Sequence, residues 1–354
     1  MFEELLNNEK GWVSGEGPFC DIVFSSRIRL ARNIKDYPFP SKATVKQKEE
    51  VFNRLREIYP KLRTIQNGFF INMEGLSDLD RQFLLERHII SQEHLFSLKG
   101  KGLIVSYDER ISIMINEEDH LRMQVITSGF NLEESWRTLN DIDNELSEVL
   151  SFAYLENLGY LTSCPTNVGT GLRASCMLHL PALVLTKRIN KILELLARIS
   201  FATRGLFGEG TASYGDFFQI SNQVSLGLSE KELIENLKGV VNQVREQEME
   251  ARNVLLRKHR INLEDNVWRS LGILKSTRLI SSKETFQHLS MLWLGLDLGI
   301  IEKSDLSEKL DARKLIYSLF IVIQPAHLQK IEGRPLREKE RDFIRASILR
   351  KKFR

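Results

Sequence analysis

Apolar and polar residues alternate along several short stretches in the first two thirds of the chain, as half-buried β-strands require. In residues 21–32, apolar side chains occupy one parity, and Ser25, Arg27 and Arg29 occupy the other. This stretch therefore predicts a strand that projects two arginines from one face. Further strands are predicted over residues 68–73, 102–107, 111–116, 120–127 and 216–221. The three runs between 102 and 127 are short and separated by turn residues, which predicts an antiparallel meander.

Helical periodicity separates these strands. Apolar residues recur every three or four positions over 45–58, 78–90 and 131–153. Ser77 is placed to cap the second of these helices. A long helix is predicted to begin after Ser229, because Glu232 stands at the capping-box position.

The patterns together predict an α+β fold, in which an antiparallel β-sheet flanked by helices is followed by an all-α carboxy-terminal domain. From about residue 261 onward the segments are amphipathic, of helix length and almost without β-alternation, which places a domain boundary near residues 250 to 265. We therefore predict two domains, residues 1–255 and 256–354. A length of 354 residues agrees with two domains.

Composition narrows the class of protein. The chain is 42% hydrophobic and 27% charged, as globular proteins are, and its net charge of +3 is too small to predict nucleic-acid binding. Its cysteines, Cys20, Cys164 and Cys176, are too few for a disulfide framework and form no Cys-x-x-Cys pair. With neither a basic leader nor an apolar run of membrane-spanning length, the sequence predicts a cytoplasmic protein without membrane segments.

Two loops rich in glycine and small polar residues interrupt the pattern, at 163–173 and 203–211. Gly169, Gly171 and Ala174 match the spacing of a dinucleotide-binding fingerprint. We reject that interpretation because no clear strand precedes them and an alternating run, not a helix, follows. The sequence also lacks a P-loop and the His-Arg-Asp motif of protein kinases. A nucleotide must therefore be bound by other means.

Arginine offers such a means, because guanidinium groups bind phosphate bidentately and stay charged. The candidates are Arg27, Arg29, Arg122, Arg173 and Arg204. If they converge, they can replace a P-loop around a triphosphate. Ordinary surface arginines could have the same spacing, so spacing alone does not decide between a phosphate site and surface residues.

Carboxylates and one cysteine supply further candidates. Residues 116–120 read Asn-Glu-Glu-Asp-His, and Glu209 lies between two glycines in the second loop. Clustered carboxylates can coordinate Mg²⁺ or clamp a guanidinium, whereas a solvated charged turn is the plainer alternative. Cys164 precedes Pro165 in the first loop. It is either a small buried hydrophobe or, with a lowered pKa, a reactive thiol.

Four segments, taken in order, resemble the motifs of the phosphagen (guanidino) kinase family. They are Ser25-Ser26-Arg27-Ile28-Arg29, residues 116–122, residues 164–173 and Arg204-Gly205-x-x-Gly208-Glu209. The resemblance extends over about residues 15–244. It implies a phosphagen-kinase catalytic domain that transfers the γ-phosphoryl group of ATP to a guanidinium, with ATP and Mg²⁺ as cofactors.

The resemblance also implies roles for the candidate residues. Glu118 is expected to act as the base and to clamp one guanidinium edge, Glu209 to hold another edge, and Cys164 to lie against the guanidinium. The arginines form the phosphate cradle, with Mg²⁺ bridging phosphate oxygens and no separate protein metal site. Met177 departs from the pattern, because small-molecule members commonly carry histidine there. One nucleotide contact is therefore expected to be absent.

Within the family, the chain resembles the bacterial protein-arginine kinases more than the kinases of free metabolites. The first arginine motif begins at Ser25, which leaves no room for the helical amino-terminal domain of the small-molecule members. The segment 341–346 resembles the RDxxRA motif, which recognises phosphoarginine. The expected recognition residues are Arg341, Asp342, Arg345 and Ala346. A solvated helix face is the alternative, because Arg341 and Arg345 are four residues apart.

This resemblance implies protein substrates that present arginine, and marking of those proteins for a Clp-type unfoldase and protease in protein quality control and the stress response. It also implies a zinc-containing activator protein and a homodimer formed by the carboxy-terminal domain. Two alternatives remain. One is a metabolic kinase of free arginine or a related small guanidine, and the other is a catalytically weak adaptor that binds phosphoarginine.

Overall fold

The computed structural model describes residues 2–6, 11–205, 214–306 and 311–353. Its strands are β1 (Val23–Arg32), β2 (Phe69–Asn72), β3 (Gly102–Val105), β4 (Ile111–Ile115), β5 (Leu121–Ser128), β6 (Tyr154–Leu155), β7 (Gly159–Tyr160), β8 (Leu172–His179), β9 (Phe201–Gly205) and β10 (Phe217–Asn222). Its helices are α1 (Phe2–Leu6), α2 (Val45–Ile58), α3 (Asp78–Glu86), α4 (Leu132–Ser147), α5 (Pro181–Leu185), α6 (Ile189–Arg198), α7 (Glu230–Lys258), α8 (Arg260–Ser276), α9 (Ser282–Asp297), α10 (Lys303–Leu306), α11 (Ala312–Val322), α12 (Pro325–Glu332) and α13 (Glu338–Lys352).

Eight strands form one sheet in the order β2-β3-β4-β5-β1-β8-β10-β9, and β6 and β7 form a separate pair. Every neighbouring pair is antiparallel. The predicted meander is confirmed as β3, β4 and β5. The α+β class is confirmed as well, since the described part of the chain beyond β10 contains helices and no strand.

The two faces of the sheet differ because the side chains of β1 alternate. Ile28 and Leu30 are fully buried on one face, and Arg27 and Arg29 on the other are only partly buried. Helices α4 and α7 pack against the central strands. They cover the apolar face, where burial of hydrocarbon surface is the main stabilising contribution. The polar face is left for a ligand site.

The carboxy-terminal helices meet the sheet through an aromatic cluster. Phe24, at a β-bulge in β1, stacks on Tyr317 with ring centroids 4.5 Å apart and contacts Phe320 edge to face. Phe217 of β10 packs against Phe320 and Trp293. Because α9 and α11 supply three of these rings, the carboxy-terminal helices share a core with the sheet.

A buried ionic network strengthens the same junction. Arg252 of α7 donates to Glu248 at 3.0 Å and to Asp297 of α9 at 3.3 Å. Asp297 also accepts from Arg313 of α11 at 2.6 Å. Glu248 in turn accepts the first backbone N–H groups of α5. Each buried charge is therefore paired, as burial requires.

Several predicted helix boundaries hold and others shift. Ser77 and Ser229 cap α3 and α7 with reciprocal capping boxes, as predicted. The structure ends α3 at Glu86, because His88 adopts a left-handed φ of 58° that breaks the helix. Helix α4 ends at Ser147, although apolar periodicity continues to residue 153. Buried loop residues such as Leu150 prolong that pattern without forming helix.

The interpretation of residues 203–211 as a loop was wrong in its first part, because residues 203–205 belong to the edge strand β9. All five residues of β9 are partly exposed, so no alternation marked the strand. Helix α7 runs without a break through the predicted domain boundary at 255/256. Within the described ranges, no helix is long and apolar enough to cross a membrane.

Gly171 offers a test of how the first glycine loop is fitted to β1. It has a φ of +68°, and a Cβ there would lie 2.6 Å from the carbonyl oxygen of Ala31. We expect Gly171→Ala to lower the free energy of unfolding by roughly 2–5 kcal/mol, from left-handed strain of about 1–2 and overpacking of about 1–3. Urea denaturation measures this change.

Gly227→Ala is the matched control. Gly227 has a φ of +87°, but among the described residues no heavy atom would lie within 4 Å of its new Cβ. The free energy of unfolding of Gly227→Ala should fall only by the cost of left-handed backbone strain, about 1–2 kcal/mol. Equal losses in the two variants would contradict the steric explanation.

Candidate active site

The five candidate arginines lie on one face of the sheet. Arg29 of β1 is directly opposite Arg173 of β8. On the other side of β1, Arg29 is opposite Gln124, two positions from Arg122 in β5. Arg204 of β9 is opposite Gln219 of β10, and Gln219 is opposite Met177 of β8. Met177 has the same parity in β8 as Arg173, so Arg204 lies on the same face. Since paired residues in a sheet share a face, the convergence that spacing left open is present.

Electrostatic repulsion marks this arginine face as an anion site. Burial, together with the charges of Arg122, Arg173 and Arg204, lowers the pKa of Arg27 to about 10. Burial and neighbouring guanidinium groups also lower the pKa of Arg29 well below its ordinary value. Nε of Arg122 has no hydrogen-bond partner among the described residues. A bound polyanion would relieve the repulsion and occupy this donor.

Neutral side chains orient two of the arginines. Arg27 Nη2 donates to Gln219 Oε1 at 3.1 Å, and Arg173 Nη2 donates to Ser221 Oγ at 3.0 Å. Gln219 and Ser221 were not among the site residues predicted from the sequence. The signal was present, because both have the polar parity of the predicted strand 216–221.

Glu117 is the carboxylate that pairs with the arginine face. Its Oε1 accepts from Arg122 Nη1 at 2.5 Å, and Ser91 Oγ donates a short hydrogen bond to the same oxygen. Burial would raise the pKa of Glu117. Arg122, Ser91 and the backbone N–H of Glu118 outweigh burial and lower that pKa below its ordinary value. Glu117 therefore stays ionised and fixes Arg122.

Glu118 is the exposed carboxylate of the same acidic segment. Partial burial and the neighbouring charges of Asp119 and Glu117 raise the pKa of Glu118, while Arg122 and Arg29 oppose that rise. The two arginines act on Glu118 because its carboxylate lies at the border of the arginine face. A carboxylate with a raised pKa is a better proton acceptor at neutral pH.

Asp119 joins the acidic segment to the first glycine loop. Its Oδ1 accepts from Asn33 Nδ2 at 2.6 Å and from the backbone N–H of Ser163 at 2.7 Å. Ser163 Oγ donates to the carbonyl oxygen of Glu118 at 2.7 Å. Cys164 follows directly, so the structure brings Cys164 and Glu118 to the same border. Cys164 Sγ lies 3.0 Å from Thr166 Oγ1.

A small recess with a volume of about 50 Å³ adjoins the arginine face. It is lined by Trp12, Phe24, Ser25, Arg27, His88, Ile126, Ser175, Met177 and Gln219. Burial and the charge of Arg27 lower the pKa of His88 to about 4, so its imidazole is neutral at neutral pH. Arg27 and Gln219 in its lining join this recess to the arginine face. No local pattern marks Trp12 or His88 as residues of this recess.

The structure does not describe the position of Glu209. Glu209 lies outside the described residues, in the segment 206–213 that follows β9. Within the described ranges, no group of three or more His, Cys, Asp or Glu side chains could hold a metal ion.

The segment 341–346 lies on α13, apart from the arginine face. Arg345 is buried, and it donates to the backbone carbonyls that follow α11 and precede α9, at 2.8 and 2.7 Å. Asp342 accepts from Arg345 at 2.6 Å. Ala346 is fully buried, whereas Arg341 is partly exposed. The structure thus groups these residues, with Arg345 bound to the backbone and Arg341 at the surface.

Comparison with known proteins agrees with this geometry. A sequence profile described as "ATP:guanido phosphotransferase, C-terminal catalytic domain" matches residues 50–251. A crystal structure of lombricine kinase superposes with a TM-score of 0.57 and 28% identity, covering 69% of this chain and 70% of that one. The substrate-free duplicated taurocyamine kinase of Schistosoma mansoni gives 0.58 and 25%, covering 72% and 39%. The fold and the matched catalytic domain are those of an ATP:guanido phosphotransferase.

A second profile, "Protein-arginine kinase McsB C-terminal domain", matches residues 260–354. The protein-arginine kinase of Halothermothrix orenii is 47% identical over 349 residues, covering 98% of both chains. That of Symbiobacterium thermophilum is 44% identical over 353 residues, covering 99% of this chain and 98% of the relative. Within the ATP:guanido phosphotransferases, the chain belongs to the protein-arginine kinase family.

Arg29→Gln tests whether the arginine face binds ATP. Removing one of five mutually repelling charges should leave the melting temperature of the unliganded protein unchanged or raise it. Saturating Mg-ATP should stabilise the wild type by about 2.7 kcal/mol at a hundredfold excess over Kd, and should stabilise the variant far less. Differential scanning fluorimetry with and without Mg-ATP measures both effects.

Arg63→Gln provides the control, because the Arg63 side chain is 75% exposed and its segment, residues 63–65, packs against α4, which covers the other face of the sheet. It should keep the ATP-induced shift of the wild type. A full shift in Arg29→Gln would show that the arginine face is not where ATP binds.

Proposed function

We propose that this chain transfers the γ-phosphoryl group of ATP to the guanidinium of arginine side chains in proteins. One observation carries the proposal: five arginines share a sheet face that has the exposed carboxylate Glu118 at its border. The near-full-length similarity to protein-arginine kinases supports a protein-bound acceptor.

The acceptor explains why a carboxylate is needed beside the cradle. A guanidinium is a poor nucleophile, because its lone pairs are delocalised and its pKa exceeds about 12. In our proposal Glu118 takes a proton from the attacking nitrogen. The N–P bond forms as the bond between the γ-phosphorus and the bridging oxygen breaks, and ADP leaves.

Two further residues complete the proposed acceptor site. Glu209 would hold a second edge of the guanidinium, so that the remaining nitrogen faces the γ-phosphorus in line. Cys164 would lie against the guanidinium, and its position beside Ser163, which is bonded to Glu118, supports this role.

The phosphates are proposed to lie on Arg27, Arg29, Arg122, Arg173 and Arg204. The depressed pKa of Arg27 and Arg29 and the free Nε of Arg122 among the described residues fit a polyanion. Mg²⁺ supplies charge neutralisation between phosphate oxygens when ATP is bound. The orientation of Arg27 by Gln219 and of Arg173 by Ser221 holds the cradle in place before ATP arrives.

The remaining parts of the proposal rest on family likeness. We assign residues 1–255 to the catalytic domain and residues 256–354 to a helical domain that recognises phosphoarginine through Arg341, Asp342, Arg345 and Ala346. Modified proteins would pass to a Clp-type unfoldase and protease in a cytoplasmic stress response. A zinc-containing activator protein and a homodimer formed by the helical domain belong to the same proposal.

The decisive experiment incubates the purified chain and its Glu118→Gln variant with Mg-ATP and unfolded casein. Phosphosites are mapped by mass spectrometry without acid, because phosphoramidates hydrolyse in acid. We expect phosphoarginine from the wild type and a rate reduced by about 10²–10⁴ in the variant, as for loss of a general base. Glu57→Gln, which changes an exposed glutamate of α2, should retain full activity.

Other outcomes point to the alternatives. Phosphorylation of free arginine, with none of casein, would favour a metabolic guanidino kinase. Binding of phosphoarginine without either transfer would favour an adaptor. Full activity in Glu118→Gln would remove Glu118 from the role of base.

Arg341→Ala tests the proposed phosphoarginine site. Loss of a charged hydrogen bond of about 1.5–3 kcal/mol should weaken phosphoarginine binding by roughly 10- to 150-fold. Isothermal titration calorimetry with free phosphoarginine measures the change. Lys339→Ala, on the exposed side of the same helix, should bind as the wild type does. Unchanged affinity in Arg341→Ala would place the site elsewhere.

A further inference from the structure

Exposed apolar side chains lie on two segments beside the glycine loop 163–173. The segments are the β6–β7 hairpin, residues 154–160, and residues 223–228 after β10. Together they contain one charged residue, Glu156, although 27% of the whole chain is charged. Large apolar side chains that are 38–54% exposed form what we call the apolar rim: Tyr154, Leu155, Leu158, Val224, Leu226 and Leu228. Clustered exposed apolar residues mark an interaction surface on a folded protein.

The register of the sheet places the rim at the end where the acceptor side chains are proposed to lie. Leu121, the first residue of β5, pairs with Arg32, the last of β1, and Glu118 lies just before β5. The glycine loop leads into β8, which begins beside the end of β1. Asn222, the last residue of β10, donates from Nδ2 to the carbonyl oxygen of Leu172, the first of β8, at 3.1 Å. The acidic segment, the glycine loop and residues 223–228 therefore leave the sheet at one end.

Both parts of the rim contact the glycine loop directly. The backbone N–H of Tyr160 donates to the carbonyl oxygen of Gly169 at 2.7 Å, and the N–H of Gly169 donates back at 3.3 Å. A Cβ at Gly169 would lie 2.9 Å from the Cα of Leu226. Ser225 Oγ donates to the carbonyl oxygen of Val168 at 2.9 Å. The rim is thus continuous with the loop that carries the proposed acceptor cysteine.

A buried arginine holds the hairpin in place. The guanidinium of Arg32 lies 3.5 Å from the centroid of the Tyr160 ring. Arg32 also donates to Asp143 at 2.7 Å and to the carbonyl oxygen of Thr170 at 2.8 Å. The ring of Tyr154 packs edge to face on Tyr160, with centroids 5.3 Å apart. An exposed ring that is already ordered loses little conformational entropy when a partner binds.

A segment of substrate polypeptide is the occupant that fits the rim. In the proposed reaction the acceptor arginine belongs to a polypeptide, and its flanking residues extend by about 3.3–3.6 Å each. These residues must pass over the surface beside Glu118 and Cys164, and the rim is continuous with that surface. With one charge in the two segments, the rim suits apolar side chains. A second copy of this chain seated on the rim would cover the glycine loop and block that path.

We propose that the apolar rim binds apolar residues that flank the target arginine, so that phosphorylation favours arginines with apolar neighbours. The inference rests on the proposed function, because it requires an arginine presented by a polypeptide. It deepens that function by assigning the choice among arginines to side chains that contact neither the guanidinium nor the phosphates.

The test compares two blocked nonapeptides, each with one central arginine. In the first peptide leucine and serine alternate around the arginine, and in the second glycine replaces every leucine. We expect the wild-type KM to be roughly tenfold lower for the leucine peptide, because several side chains each gain apolar contact. The kcat should differ by no more than about twofold, since the rim does not contact the reacting atoms.

Tyr154→Ser and Leu226→Ser locate the preference on the rim. Each should raise the KM for the leucine peptide by about three- to tenfold, the loss expected for one partly buried apolar side chain. The KM for the glycine peptide and both kcat values should stay within about twofold of the wild type. A variant that merely folds less well would lose activity on both peptides alike, so the ratio of the two KM values reports the rim.

Tyr107→Ser is the matched control. Tyr107 is 56% exposed, against 54% for Tyr154, and it lies in the turn between β3 and β4. That turn is at the opposite end of the sheet, because β4 runs from it to the residue that pairs with Leu121. This variant should keep the wild-type ratio of the two KM values.

Equal wild-type KM values for the two peptides would overturn the inference and leave the proposed function intact, because both peptides would still be phosphorylated. A wild-type ratio in both rim variants, or a ratio that falls equally in Tyr107→Ser, would overturn it as well. If gel filtration shows that the rim variants change only the oligomeric state, the rim belongs to a second copy of the chain. Transfer to neither peptide would overturn the inference, and transfer to free arginine alone would contradict the proposed function too.

Discussion

The structure depends on holding five mutually repelling guanidinium groups on one face of a sheet. Such a concentration of like charge is unfavourable, as the lowered pKa of Arg27 and Arg29 indicates. A sheet can carry it because backbone hydrogen bonds fix the spacing of the strands, while the opposite face buries apolar side chains under α4 and α7. Glu117 pairs with Arg122, and the repulsion that lowers the pKa of Arg27 and Arg29 favours a bound polyanion.

Much of the fold could be predicted, because strand alternation and capping boxes are local signals. The meander β3–β5, the caps Ser77 and Ser229 and the α+β class all follow from them. Strand β9 could not be predicted, because an edge strand that is partly exposed along its length carries no alternation. The position of α3's end could not be predicted either, since the left-handed His88 follows an apolar pattern that continues into a buried loop.

Some features of the candidate site could likewise be predicted from the sequence, and others could not. Motif order identified all five arginines, but their convergence depends on pairings between distant strands, which no local pattern encodes. The motif resemblance assigned the role of base to Glu118, but no local pattern distinguishes the surroundings of Glu117 and Glu118, which are adjacent in the chain. Their difference arises from Ser91 and Arg122, which bind Glu117 and leave Glu118 exposed. Glu209 remains a prediction.

The central position of β1 has a consequence for biosynthesis. This strand leaves the ribosome early. Its Ser26, however, contacts Gly129 after β5, which is 103 positions later in the chain, and Cys176 in β8, which is 150 positions later. The carbonyl oxygen of Cys20, just before β1, accepts a hydrogen bond from the hydroxyl of Tyr317, which lies 297 residues later in the chain. Such long-range contacts slow folding and leave strand edges open meanwhile. The nascent chain therefore cannot complete the contacts of β1 until its last helices have been made.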